Sequence, residues 1–231
     1  MAKSTDSFDQ AYGEGCDFFN ADQYDAAIAA FSRAAALRPD DFRPWEMTGC
    51  CYGGLAQWED SLAAFERARD LGHECEQCCY NRSIALCQLH RAVEAIQALE
   101  RSLELEPNNS AAWYKLGLIL GMAHGRAHRE LEPFDGRHER AVAAFDRVLA
   151  LEPNHYGAWY CKAYTMYKCS HSWSATQGLI AAGYAPDILQ QALACVEEAI
   201  ALQPDRPEAA SVRDDILAWI AESTGAQEEQ K

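Results

Sequence analysis

Four short phrases divide this chain at regular intervals: LRPD at 37–40, LEPN at 105–108, LEPN at 151–154 and LQPD at 202–205. Their prolines, Pro39, Pro107, Pro153 and Pro204, are separated by 68, 46 and 51 residues. The first gap is twice 34, the second is 34 plus 12 and the third is 34 plus 17. Proline cannot continue a helix and biases the residue before it away from helical backbone, so each phrase reads as the end of a unit. A period of this length belongs to stacked supersecondary units, none of which can bury its apolar face alone. Whatever the chain folds into must place one structure five times.

Setting the prolines in register gives units at 8–41, 42–75, 76–109, 110–155 and 156–205. The first carries Gly15, Phe18, Ala27, Phe31, Ala34 and Pro39, and the second Trp45, Gly49, Tyr52, Ser61, Phe65 and Ala68, with His73 in place of proline. The third has Cys79, Ser83, Leu86, Ala95, Leu99 and Pro107. The fourth has Trp113, Leu116, Gly117, Leu120, Ala141, Phe145 and Pro153, and the fifth Trp159, Ala163, Met166, Ala192, Ala199 and Pro204. This pattern resembles the tetratricopeptide repeat, one helix hairpin per unit, over residues 8–204. The resemblance implies an all-α, right-handed solenoid of five hairpins. Small residues midway along the first helix and early in the second let the two backbones approach, while aromatic rings fill the space around that contact.

The segment 206–223 reads as a capping helix, with Ile216, Trp219 and Ile220 turned to the fifth unit and Arg213, Asp214, Asp215 and Glu222 to water. One solenoid domain is thus expected over 1–223, with a flexible tail at 224–231. Two insertions, 121–138 and 169–187, fall between the helices of the fourth and fifth units and read as long turns. The second carries Trp173 and Tyr184, candidates for loop contact with a partner.

Composition narrows the function. A net charge of −15 opposes nucleic-acid and anionic-membrane binding, both of which demand basic surface. No apolar run reaches the length of a membrane span, and the first ten residues hold no apolar stretch of the secretory kind. A cytoplasmic protein is expected, and its ten cysteines read as free thiols, most of them small buried hydrophobes.

No nucleophile elbow, phosphate loop or dinucleotide glycine pattern is present, and Asp40 and Asp41 sit where a helix cap belongs. A noncatalytic chain without cofactor is expected. One stretch, HECEQCC at 73–79, sets His73, Cys75, Cys78 and Cys79 close together, and C-x2-C is a zinc or redox spacing. A structural zinc site usually pairs two such knuckles, the chain holds one, and Cys79 falls at a core position, so no metal is assigned. His124 and His128, with His138 nearby, read as solvated loop histidines.

The first helices of such solenoids line the inner face. At the fifth position of each unit the chain has Tyr12, Glu46, Tyr80, Tyr114 and Tyr160, with Asn81, Lys115, Tyr164 and Tyr167 beside them. Tyrosine joins apolar area to a polar tip at low entropic cost, which suits a binding face. The competing reading makes these rings mortar between neighbouring first helices. One branch of the family clamps a C-terminal carboxylate with a set of Lys, Asn and Arg residues. Only Asn81 matches its middle asparagine, Glu46 and Cys50 replace a lysine and an asparagine, Ala111 replaces a lysine and Lys115 an arginine, so that clamp is not intact. The resemblance implies an adaptor that binds a protein or peptide. The alternatives are a thiol or zinc protein using the His73–Cys79 turn, and a self-associating structural module.

Overall fold

The structure, a computed structural model, describes the backbone of residues 7–122, 134–177 and 185–228, with side chains outside 122–135, 171–186 and 223–231. Among the described residues the chain is all-helical. The helices are α1 (Phe8–Asn20), α2 (Tyr24–Leu37), α3 (Arg43–Gly54), α4 (Trp58–Asp70), α5 (Glu76–Gln88), α6 (Ala92–Leu105), α7 (Ser110–Met122), α8 (Phe134–Leu151), α9 (Tyr156–Gln177), α10 (Ala185–Leu202) and α11 (Pro207–Glu228). They group into two compact units, Met1–Pro107 and Asn108–Lys231, and the division falls at a repeat boundary. Within each unit every helix packs on the next in sequence. This is the hairpin stacking of an α-solenoid.

Each first helix starts the same way. Ser7, Asp41, Cys75 and Asn109 recur at 34-residue spacing, and His155 holds the same place before α9. Their side chains accept backbone N–H bonds from Gln10, Arg43, Cys78, Ala112 and Ala158, answering donors that a helix start leaves open. A second regularity closes the hairpins. Asp22, Ala56 and His90, again 34 apart, take left-handed backbone with φ of 55°, 56° and 59°. For a residue with a Cβ that conformation costs about 1–2 kcal/mol. Exposed Ala56 loses no packing when shortened, so Ala56→Gly should raise stability by up to about 1 kcal/mol once the looser unfolded chain is counted. A denaturant midpoint at or below wild type would contradict this.

The hairpins are held by a matched pair. Phe31, Phe65 and Phe145 are buried on the second helices, and each faces a glycine on its first helix. A Cβ on Gly15, Gly49 or Gly117 would lie 2.5, 2.9 or 2.7 Å from the facing ring. Where the second helix carries Leu99 or Val196 instead, the corresponding first-helix residue is Ser83 or Ala163. Ring size and Cβ trade against each other in one fixed gap. Ala27, Ala95, Ala141 and Ala192 are buried at the small-residue position, and Ser61 there donates its hydroxyl to the Gly49 carbonyl at 2.8 Å. Trp113 and Trp159, which the repeat pattern places at a buried aromatic position, are only half-buried. Trp159 donates its indole N–H to the Pro153 carbonyl at 2.8 Å, tying the helix to the turn before it.

Both insertions are partly helix. α9 runs for 22 residues against 13 for α7, and α8 opens at Phe134 within the stretch read as a turn. His138 is accordingly buried on α8, while His124 and His128 lie outside the described residues. α11 covers the fifth hairpin: Ile216 is buried in the cluster of Met166, Leu189 and Val196, and Trp219 and Ile220 pack against it. It extends to Glu228, into the segment read as a tail.

Candidate functional site

The tyrosines of the first helices are all half-buried, but they do different things. Tyr12 stacks on Phe8 at 5.8 Å and packs against Phe31 at 5.5 Å, with the Arg43 guanidinium 5.4 Å over its ring. Burial, and then the neighbouring Cys16, pushes its hydroxyl up to about 12. Tyr114 wedges between α7 and α9. Its ring packs on Phe145 and His155, its hydroxyl lies 3.7 Å from the Cys161 sulfur, and a Cβ on Gly157 would come within 2.6 Å of that hydroxyl. Tyr12 and Tyr114 are mortar. The glycine at 157 exists in the sequence, but its role appears only when the ring is seen beside it.

Tyr160 belongs to a different arrangement. Tyr156, Tyr160 and Tyr164, four residues apart on α9, stack in series with centroids 6.1 and 6.2 Å apart and planes inclined by 4° and 22°. Lys168 lies 5.4 Å over the Tyr164 ring and 5.3 Å over that of Tyr167. The inner edges of these rings rest on the Ala163–Met166 cluster, and desolvation raises the hydroxyls of Tyr156, Tyr160 and Tyr167. The helical repeat makes the stack, since residues four apart share one face. Tyr156 and its part in the series are absent from a reading based on one position per unit.

In the other compact unit, Tyr80 and Asn81 sit half-buried on α5. The Asn81 amide takes a bond from Gln77 at 3.1 Å and lies 3.6 Å from the Cys50 sulfur. Lys115 is half-buried on α7. Trp173 is on α9 with its side chain outside the described residues, and Tyr184 lies outside them altogether.

Glu46 is turned elsewhere. Its carboxylate meets His73 Nε2 at 3.5 Å and Cys78 Sγ at 3.1 Å, and Cys75 Sγ stands 3.7 Å away. Cys79, grouped with the histidine and the other two cysteines on sequence spacing, points instead into the core, where burial pushes its thiol up to about 11. Burial also raises the Cys78 thiol, helped by its bonds to Cys75 and Glu46. That is the reverse of the lowered value a redox-active thiolate needs.

The polar starts, the glycine–phenylalanine gaps and the helix-ending prolines together define a tetratricopeptide hairpin scaffold. The tetratricopeptide-repeat pattern matches residues 12–72 and 98–143, and the chain belongs to that family. Among solved structures it is similar to YrrB, a tetratricopeptide-repeat protein with an unusual peptide-binding site, at 19% identity and a TM-score of 0.71, covering 91% of this chain and 94% of that one. It is also similar to MamA 41-end from Desulfovibrio magneticus RS-1, at 14% identity and a TM-score of 0.67, over 88% and 99% of the two chains. A crystal structure of MamA matches at 18% identity and a TM-score of 0.64, over 82% and 94%. Similarity at this level carries the fold. No curated protein matches the chain in sequence.

Proposed function

We propose that the chain is a noncatalytic cytoplasmic adaptor that holds an extended peptide or protein segment against the first helices of its repeats. The observation that carries this reading is the Tyr156–Tyr160–Tyr164 stack on α9. Three stacked rings in series, with Lys168 over the Tyr164 end and Arg206 5.6 Å over the Tyr156 end, offer an apolar strip with hydroxyl tips and a cation at each end. An extended ligand running along it gains ring contact at each step, and Lys168 and Arg206 favour acidic groups at the two ends of the strip. Tyr80 and Asn81 offer a ring and an amide on α5, and the YrrB likeness supplies a fold on which peptide binding occurs. The ten cysteines suit a reducing compartment, and no helix among the described residues is long and apolar enough to cross a membrane.

Peptides selected from a random display library on the purified chain give the probe. Tyr160→Ala and Tyr164→Ala should each weaken such a peptide by about 1–2 kcal/mol, roughly 5- to 30-fold. Tyr114→Ala, which removes mortar, should lower the melting temperature more than either. Full affinity in both α9 variants would remove the stack from the binding face. A concentration-dependent mass in light scattering, with no peptide selected, would favour self-association.

A further inference from the structure

One departure from the repeat pattern would be unremarkable, but the second hairpin and the start of the third hold four that meet in space. Glu46 stands where the other units have tyrosine, and His73 where the other four have proline. Cys75 takes a helix-start position otherwise filled by Ser, Asp, Asn and His, and Cys78 follows three residues later. Among the described residues, the ligand-capable atoms of these four all lie within 4.8 Å of one another. They come from three places: Glu46 from α3, His73 and Cys75 from the link between α4 and α5, and Cys78 from the first turn of α5.

Local structure aims them. α4 ends in a paired turn, in which Gly72 N–H bonds the Arg69 carbonyl at 2.8 Å and His73 N–H the Ala68 carbonyl at 3.2 Å. Gly72 takes the left-handed φ of 84° that this helix ending requires. The His73 ring is then clamped flat on Phe42, centroids 3.6 Å apart and planes 8° from parallel, which fixes the direction of Nε2. Cys75 Sγ accepts the Cys78 N–H at 3.2 Å, so the helix start itself orients the first sulfur.

We propose that Glu46, His73, Cys75 and Cys78 form a structural zinc site that fastens the second hairpin to the third. The donor set is two sulfurs, one imidazole and one carboxylate, all of them zinc ligands, and four protein donors close a tetrahedral shell. Bonds of about 2.3 Å to sulfur and about 2.0–2.2 Å to nitrogen and oxygen put neighbouring ligand atoms roughly 3.3–3.8 Å apart. The His73–Glu46 separation of 3.5 Å and the sulfur–carboxylate separations of 3.1 and 3.7 Å are already close to that shell. The two sulfurs, at 2.8 Å, need to part by about 1 Å, a small side-chain rotation. Zinc entry displaces one proton from each thiol to solvent, and Glu46 brings the site to a net charge of −1. Unit two has no helix-ending proline, and here the metal holds the link in its place.

This inference does not depend on the peptide-binding reading. The test uses the full chain, reduced and stripped with a chelator, titrated with cobalt(II) and then zinc(II). One cobalt per chain should give thiolate-to-metal charge transfer and the visible bands of tetrahedral coordination, and zinc should abolish both. The zinc-loaded chain should melt higher than the stripped one, because ligand bound only by the native state stabilises it. Cys75→Ser/Cys78→Ser should lose the spectrum, Glu46→Gln should weaken zinc by at least about 10-fold, and Cys87→Ser, on α5 outside the cluster, should retain full loading. If the serine variants fold poorly, the wild-type cobalt spectrum decides alone. Absence of that spectrum in the wild type, unchanged loading in the double serine variant, or a Cys75–Cys78 disulfide in place of metal would each overturn the site.

Discussion

Phe145→Ala should lower the stability of the chain by about 3–5 kcal/mol, the range for a buried aromatic ring that leaves a cavity. Phe145 is fully buried on α8 and faces Gly117 of α7, with Tyr114 at 6.0 Å on its flank. Neither neighbour can collapse into the space, since Gly117 has no side chain and Tyr114 is held by His155 and Cys161. Trp113→Ala on the same hairpin should cost less, because its side chain is only partly buried. Urea unfolding of the two variants checks the order. A midpoint for Phe145→Ala equal to or above that of Trp113→Ala would mean the hairpin is not built around the phenylalanine.

Two glycines on α1 should respond in opposite directions to the same substitution. Gly13 has open space where a Cβ would go, so Gly13→Ala should gain up to about 1 kcal/mol from helix propensity. Gly15 is two residues further on, and its new Cβ would sit 2.5 and 2.6 Å from carbons of the Phe31 ring. That ring is fully buried and cannot swing aside, so overpacking of about 1–3 kcal/mol exceeds the propensity gain. Gly15→Ala combined with Phe31→Leu should recover part of the loss, because the two changes act on one gap. Equal melting temperatures for Gly13→Ala and Gly15→Ala would show that the ring yields.

Periodicity makes the hairpins legible in the sequence, because helix-breaking prolines and small residues act locally and leave their mark there. Pairings across space were less readable. Cys79 lies beside Cys78 in sequence, but a helix turns adjacent residues about 100° apart, so one faces the core and the other the link. By sequence position Glu46 belongs to the groove, because its partners are 27 and more residues away. The same limit hid the division of the tyrosines: Tyr114 and Tyr160 share a repeat position, yet only Tyr114 meets a glycine of the next first helix. The helical extension of α9 is faint in the sequence because Ser, His and Thr are weak helix formers, although no proline or glycine interrupts it before Gly178. For α8 the signal was present: Pro133 stands just before its start, where proline is well tolerated.

The corner occupied by Asp22, Ala56 and His90 has a bearing on how such a chain gains new parts. In the first three hairpins this corner is closed by a single left-handed residue. In the fourth and fifth, the added segments enter at the corresponding corner, between α7 and α8 and between α9 and α10. Extra chain there adds only a slowly growing closure entropy. The contacts that hold each pair of helices, glycine against phenylalanine in the first, second and fourth hairpins and the Ser83–Leu99 and Ala163–Val196 positions in the others, lie away from this corner and keep their register whatever length of chain joins the two. It is therefore the natural splice point of the scaffold, where an epitope or a whole second domain can be grafted while the hairpin beneath continues to fold.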